Sequence, residues 1–181
     1  FGLDIPMEQI SKGNGESCVL SAYSSSVINL SNHFTTSLGI TAQYFTLNKN
    51  WTVEPRAALK WTFNPKHALA LAYGLHSRRE RLDYYFVEQE VNGKTESNRY
   101  LNFSKAHHFG LTYDWNINSY MHLKVEPYYQ YLFRIPVEEN SSFSIINHQS
   151  FYLERILKNR GSGVNYGIDI TLEQYMKNGF Y

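Results

Sequence analysis

The sequence is poor in cysteine and in long apolar runs, and both shortages limit what the chain can be. Cys18 is the only cysteine among 181 residues, which excludes an intrachain disulfide and a zinc site built from four cysteines. No stretch approaches the roughly 18 consecutive apolar residues of a membrane-spanning helix, so a helical membrane protein is excluded. The formal net charge is only +1, which gives no reason to expect a nucleic-acid partner.

The sequence also lacks the motifs of common catalytic and metal sites. We find no nucleophile paired with a base, no glycine-rich phosphate loop and no pair of carboxylates at a catalytic spacing. Seven histidines are present, but His107 and His108 are adjacent on a predicted strand and must point to opposite faces. We therefore expect no enzyme activity, no metal site and no cofactor.

The chain is rich in aromatic residues, and its apolar and polar residues alternate strictly in long segments. Tyrosine occurs 15 times and phenylalanine 11 times, a composition that favours strands. Between Trp51 and Leu75 the apolar Leu59 and Trp61 share one face, while Arg56 and Lys60 share the other. Alternation with a period of two predicts β-strands with one apolar side.

The same alternation recurs along most of the chain and predicts seven strands. They cover residues 18–30, 34–47, 51–63, 67–77, 105–117, 121–135 and 163–175. Pro55 and Pro127 fall inside two of these strands, and since proline removes a ladder donor we expect a local bulge at each. The joints near residues 32, 65, 118 and 178 are tight, whereas the polar regions 78–104 and 138–162 are long.

Long strands with short turns on one side and long polar loops on the other are typical of a transmembrane β-barrel. The sequence therefore predicts an all-β fold over residues 1–181: an antiparallel up-and-down meander, a partial transmembrane β-barrel of about seven strands. Bacterial barrels have an even number of strands, eight or more, so we expect the chain to be a piece of a larger barrel.

The alternation also predicts which side chains face lipid and which face the lumen. The predicted lipid-facing residues are Leu59, Trp61, Leu69, Leu71, Leu111 and Leu123. The predicted lumen-facing charges are Glu54, Arg56, Lys60, Lys124 and Glu126. These charges could mark a substrate path, or neighbouring strands could simply pair opposite charges across a wet lumen.

Four segments, in order, resemble segments of TonB-dependent outer-membrane receptors, most closely those of the Bacteroidota. They are Trp51–Arg56 (WTVEPR), Tyr73–Ser77 (YGLHS), Leu123–Gln130 (LKVEPYYQ) and Asn165–Ile170 (NYGIDI). The resemblance covers roughly residues 34–181 and implies the barrel wall of a receptor in the bacterial outer membrane. It further implies energy-dependent uptake of an unknown nutrient ligand, contact with outer-membrane lipid, and TonB and a surface lipoprotein as partners. The plug and TonB box of such receptors are not among these residues.

The run from His76 to Phe86 is the candidate ligand-contact segment. It leaves a predicted strand on the side of the long loops and mixes guanidinium groups with aromatic rings, which suits carboxylate, phosphate or sugar-like ligands. The candidate residues are His76, Arg78, Arg79, Arg81, Tyr84 and Tyr85. The alternative is a solvated strand extension whose charges serve solubility.

Two other classes of protein stay open on the sequence alone. One is a complete small outer-membrane barrel with a structural or adhesion role. The other is a soluble β-sandwich or lipocalin-like binding module, in which the apolar faces would pack on each other instead of on lipid. Dependence on detergent would separate the soluble class from the membrane classes.

Overall fold

The computed structural model describes residues 17–91, 93–138, 144 and 155–175. Within these residues the strands are β1 (Val19–Asn29), β2 (Phe34–Phe45), β3 (Asn50–Asn64), β4 (His67–Arg78), β5 (Glu88–Val91), β6 (Lys94–Ser97), β7 (Ser104–Asn118), β8 (Met121–Glu138) and β9 (Leu157–Gln174). Two 3₁₀ helices cover Leu82–Phe86 and Asn98–Tyr100. None of the helices found in the described residues is both long and apolar enough to cross a membrane.

Seven of these strands form one antiparallel sheet in the order β1-β2-β3-β4-β7-β8-β9. Each strand pairs with the next one of the sheet along the chain, so the predicted all-β, antiparallel meander of seven strands is confirmed. β5 and β6 form a separate hairpin inside the long connection between β4 and β7. Within the described residues the large sheet does not close on itself, and β1 and β9 are its edges.

The hairpin of β8 and β9 is the place where the observed strands differ most from the predicted ones. The sequence predicted strands over 121–135 and 163–175, whereas β8 continues to Glu138 and β9 begins at Leu157. The extra residues pair across the hairpin, from Ile135 with Gly161 to Glu138 with Leu157. Residues 157–162, which were predicted to lie in a long polar loop, are therefore part of a strand. Most of the rest of that loop, and the turn predicted near residue 178, lie outside the described residues.

The cross-strand register separates the sheet into two faces. Leu59 pairs with Leu71, and Leu71 pairs with Leu111, so the three leucines share one face. Arg56 pairs with Gly74 on the opposite face. The apolar face carries Leu59, Trp61, Leu69, Leu71, Leu111 and Leu123, and the polar face carries Glu54, Arg56, Lys60, Lys124 and Glu126.

Pro55 and Pro127 do not form the predicted bulges. Pro55 stays in register with Ile40, and Pro127 with Ile168. The ladder is interrupted only on the other side of each proline: the β3–β4 pairs end at Arg56, and the β7–β8 pairs skip the position of Pro127. A strand residue directs its N–H to one neighbour, so a proline loses the bond on that side and leaves the other ladder intact. The register shifts lie elsewhere, between Thr62 and Asn64, between Asn116 and Asn118, and around Ile135.

The hydrophobic core lies at one end of the sheet. Its buried residues are Phe45, Tyr84, Tyr85, Leu101, Phe103 and Leu157. Four of the six come from residues 79–103, which we call the cap. The cap contains both 3₁₀ helices and the β5–β6 hairpin. We call this end of the sheet the loop end and the opposite end, with the tight turns, the turn end.

Candidate functional site

The apolar face of the sheet is exposed along its whole width. Leu71 in the centre is 59% exposed, and Ile170 near the edge is 67% exposed. Neighbouring apolar side chains of the face are also exposed: Leu38, Ile40, Leu59, Leu111, Ile168 and Leu172. All three tryptophans, Trp51, Trp61 and Trp115, belong to this face. Nothing within the described part of the chain covers it.

A row of aromatic rings crosses this face near the turn end. Trp61 lies 5.8 Å from the stacked ring of Phe34 and 5.0 Å from the ring of Phe63. His67 continues the row, with ring distances of 5.7 Å to Phe63 and 5.9 Å to Tyr113. We call Phe34, Trp61, Phe63, His67, Tyr113 and Trp115 the turn-end belt. The belt spans β2, β3, β4 and β7.

A second aromatic row crosses the same face toward the loop end. Tyr73 lies 5.1 Å from Phe109 and 6.0 Å from His107. His107 stacks on Phe133 at 5.0 Å, and Phe133 stacks on Tyr131 at 6.1 Å. We call Tyr73, His107, Phe109, Tyr129, Tyr131 and Phe133 the loop-end belt. Aliphatic residues fill the face between the belts, among them Leu59, Leu71, Leu111, Val125 and Ile170.

The opposite face carries charges that pair with one another. The ammonium group of Lys124 lies 2.8 Å from Oε2 of Glu126, and the Thr112 hydroxyl donates to Oε1 of the same glutamate at 3.2 Å. Nε2 of His122 lies 3.2 Å from Oδ1 of Asp114. A groove of about 800 Å³ runs over β7, β8 and β9. Its polar lining includes His108, Thr112, Glu126, Tyr128 and Gln130.

Glu54 is the buried member of the predicted lumen-facing charges. Only 2% of it is exposed. Its carboxylate accepts hydrogen bonds from Gln43 of β2 at 2.7 Å, from Arg56 at 3.1 Å and from the hydroxyl of Ser77 on β4. These bonds lie where the backbone ladder between β3 and β4 has ended. The side chain of Glu54 therefore joins three strands where main-chain pairing no longer does.

The predicted ligand-contact residues do not come together in one open site. Tyr84 and Tyr85 are 7% and 1% exposed and belong to the core cluster. The ring of Tyr85 packs edge-on against Phe45 at 5.2 Å, and burial raises the pKa of its hydroxyl. The prediction that these rings offer stacking faces to a ligand is therefore wrong, because the cap uses them as its own core.

The remaining candidates differ in how accessible they are. The side chain of Arg78 is 80% exposed and lies 3.9 Å from the buried carboxylate of Glu80. The Arg79 guanidinium lies 5.8 Å from the Phe45 ring centroid, and Arg81 pairs with Asp83 at 2.8 Å. The Arg78 guanidinium is thus more open to a ligand than that of Arg81, whose side chain is 50% exposed.

His76 lies on the polar face and not in the cap. Its ring is 5.8 Å from that of His108, and a Cβ on Gly74 would come within 2.7 Å of its Nε2. Glycine at position 74 therefore leaves the space into which the His76 ring folds back over the sheet.

Asparagine side chains that the sequence did not single out join the cap to the sheet. The Asn98 carboxamide donates to the carbonyl of Arg155 and accepts from the N–H of Leu157, both at 2.8 Å. Asn159 in the same way accepts from the N–H of Asn102 at 2.7 Å and donates to its carbonyl at 3.2 Å. Asn48 donates to the Leu101 carbonyl at 2.8 Å. Each carboxamide bonds main-chain groups that a neighbouring strand would otherwise bond. No local sequence pattern identifies such asparagines.

Comparisons with known proteins add no family to these observations. No protein-family model matches the chain, and no curated protein matches it. Within the described residues no group of three or more histidine, cysteine, aspartate or glutamate side chains is placed to hold a metal ion.

Proposed function

We propose that this chain forms part of the wall of a bacterial outer-membrane β-barrel, in a TonB-dependent type of receptor that takes up a nutrient. One observation carries the proposal: a sheet face of exposed aliphatic side chains lies between two aromatic belts. Barrel walls in outer membranes have an apolar outward band about 25 Å tall with aromatic girdles at both interfaces. The ordered resemblance of four segments to such receptors supports the same proposal.

The energetics of the apolar face favour lipid over water as its surroundings. Burying a leucine or isoleucine side chain is worth roughly 1.5–3 kcal/mol relative to leaving it in water. Leu71, Ile168 and Ile170 are each more than half exposed on this face. Contact with acyl chains would recover this free energy for every such residue, whereas a water-facing sheet would forgo it.

The opposite face suits a hydrated lumen. Its charges pair at hydrogen-bonding distances, as for Lys124 with Glu126 and Arg56 with Glu54. Lumen-facing positions of barrel strands are polar because water reaches them. The cap would then close part of the outer end of the barrel, with Arg78 available for ligand contact at that end.

The lipid contact can be tested with two neighbouring positions in the full-length protein. After Cys18→Ser, the variants Leu71→Cys and Ala72→Cys are each labelled with the same fluorophore and reconstituted in vesicles. We expect brominated phospholipid to quench the label at position 71 much more strongly than the label at position 72. Equal quenching, or none at either position, would contradict the lipid-facing assignment. A blue-shifted but unquenched label at position 71 would instead support a soluble sandwich.

The uptake role needs a separate experiment in cells. A strain that lacks the gene should grow poorly on the nutrient, identified by screening sole nutrient sources, and loss of TonB should produce the same defect. If growth depends on the gene but not on TonB, the TonB-dependent role is contradicted. The chain would then belong to a barrel of another functional class.

A further inference from the structure

The tripeptide Val-Glu-Pro occurs twice in the large sheet, at residues 53–55 of β3 and 125–127 of β8. Each proline stays in register with a residue of one neighbouring strand, while the ladder with the other neighbour is interrupted. The cause is the missing N–H, because a proline cannot donate the ladder bond on the side that its nitrogen faces. The same short motif therefore weakens the sheet at two places, which we call the first gap and the second gap.

The first gap lies between β3 and β4 and runs to the loop end. The paired residues end at Arg56 with Gly74, although β4 continues to Arg78. Inside the gap, Oε1 of Glu54 accepts a hydrogen bond from the Ser77 hydroxyl of β4. Oε2 of Glu54 lies 3.1 Å from the guanidinium of Arg56. A buried bond between a hydroxyl and a carboxylate thus joins the two strands where the backbone ladder does not.

The second gap lies between β7 and β8 and is bridged in the same way. The pairs between these strands skip Thr112 and Glu126, and also Leu111 and Pro127 beside them. Oε1 of Glu126 accepts from the Thr112 hydroxyl at 3.2 Å, and its Oε2 lies 2.8 Å from the ammonium group of Lys124. All four residues of the gap line the groove of about 800 Å³. The second gap therefore opens into that groove.

The two bridges share one arrangement of chemical groups. In each, the glutamate directly before the proline accepts from a hydroxyl of the neighbouring strand and pairs with a cation of its own strand. The cation lies two residues from the glutamate and therefore on the same face of the sheet. Hydrogen bonds to an ionised acceptor are stronger than those between neutral groups. The glutamate is thus suited to replace the ladder bond that the proline removes.

We propose that Glu54 and Glu126 are latches on two hinge lines along which the large sheet opens and flexes. The gaps divide the sheet into three panels, β1–β3, β4–β7 and β8–β9. Inside the panels the ladders pass the gaps unbroken, since β2–β3 pairing reaches Asn50 and β4–β7 pairing reaches Arg78. Across each gap a side-chain bond, instead of the backbone, resists separation of the panels. This inference goes beyond the proposed function and holds whatever the apolar face contacts.

The cap spans the hinge lines, and the two latches differ in strength. Phe45 of the first panel and Leu157 of the third belong to the core that the cap completes, so a movement of the cap acts on both lines. Glu54 is 2% exposed, whereas the side chain of Glu126 is 35% exposed. The first gap also reaches the strand ends, while pairs enclose the second on both sides. We therefore expect the larger effect at the first gap.

The test measures hydrogen exchange in the full-length protein in detergent micelles. Ser77→Ala and Thr112→Ala each remove the hydroxyl of one latch. The controls Thr41→Ala and Thr171→Ala remove a hydroxyl on the opposite neighbour of β3 or β8, where the ladder is unbroken. Losing a hydrogen bond to a charged group corresponds to roughly a tenfold or larger change in an opening equilibrium. We expect exchange beside the affected gap to become about tenfold faster, and both controls to exchange like wild type.

A second set of variants restores the ladder donor that the motif lacks. Pro55→Ala and Pro127→Ala supply a backbone N–H, so in these backgrounds Ser77→Ala and Thr112→Ala should have a much smaller effect on exchange. Persistence of the full effect would show that the glutamates do not replace the ladder bond, and would overturn the latches. The proline variants also keep the test available if Ser77→Ala alone does not fold, which heat-modifiability on a gel would report.

The remaining outcomes are equally decisive. Unchanged exchange beside both gaps in Ser77→Ala and Thr112→Ala would overturn the latches. An equal increase in every strand would show a loss of global stability and overturn the hinge lines. None of these results bears on lipid contact at position 71, so this inference and the proposed function can fail independently.

Discussion

The sheet and the cap place their apolar residues in opposite ways. The sheet holds its strands together by backbone ladders and leaves leucine, isoleucine and tryptophan exposed on one face. The cap buries Tyr84, Tyr85, Leu101 and Phe103, and asparagine side chains supply much of its hydrogen bonding to the rest of the chain. The cap therefore buries its apolar side chains among themselves, whereas the sheet leaves one apolar face uncovered within the described residues.

The substitution with the largest expected effect on stability lies in the cap core. Tyr85→Ala removes an aromatic side chain that is 1% exposed, and such truncations cost about 3–5 kcal/mol. We expect the cap to lose hydrogen-exchange protection and become sensitive to protease, while the large sheet keeps its protection. Tyr100→Ala, at a position 75% exposed, is the matched control and should change little. Loss of protection throughout the sheet would show that the two regions are one cooperative unit.

The next effect concerns the exposed face of the sheet. Leu71→Arg places a charge in the middle of the apolar band, at a cost of roughly 2–4 kcal/mol near the centre of a bilayer. Ala72→Arg, one residue along, places the same charge on the polar face, where water hydrates it. We expect the first variant to lose the heat-modifiable folded form on a gel and the second to keep more of it. Equal folding of Leu71→Arg and wild type would count strongly against lipid contact.

A smaller effect is expected at the joint between the two regions. Asn98→Ala leaves the buried N–H of Leu157 and the carbonyl of Arg155 without this partner. An unsatisfied buried group costs about 1–3 kcal/mol. The measurement is hydrogen exchange at Leu157, with Asn32→Ala in an exposed turn as the control. Unchanged exchange at Leu157 would mean that the carboxamide is not needed to fix the cap.

The smallest effect on stability, and the most informative for ligand binding, is expected at Arg78. Its side chain is 80% exposed, so Arg78→Ala should change the free energy of unfolding by less than about 0.5 kcal/mol. We expect it to weaken ligand capture more than Arg81→Ala, because Arg78 is 80% exposed and lies 3.9 Å from its carboxylate partner, whereas Arg81 is 50% exposed and lies 2.8 Å from Asp83. Lys66→Ala in a turn-end loop should leave capture unchanged. Once the nutrient is known, affinity measured on whole cells decides between them.

The sheet could be predicted from the sequence because its signal is local. Alternation at Leu59, Lys60 and Trp61 assigns each side chain to a face, and the register follows from the tight turns. The cap could not be predicted in this way. Its bonds join residues far apart, 57 positions for Asn98 with Arg155 and 53 for Asn48 with Leu101.

Tyr84 and Tyr85 show the same limit for the candidate site. They follow Arg81 and Asp83 in a charged run, which suggested an exposed ligand surface. Their rings are buried together with Phe45 and Leu157, which lie tens of residues away in the sequence. No residue close to them in the sequence indicates this burial. The bulges predicted at Pro55 and Pro127 were wrong for a different reason. Sequence alone does not show which neighbouring strand a proline nitrogen faces.

The cap also has a geometric consequence for the large sheet. Phe45 on β2 and Leu157 on β9 belong to one core cluster, although five steps separate these strands in the sheet order. A flat sheet would put them about 24 Å apart, at roughly 4.8 Å per strand. The sheet must therefore bend around its polar side until both strand ends reach the same small core. The cap therefore connects two distant strands of the curved sheet and fixes its curvature, although β1 and β9 are the edges of that sheet within the described residues.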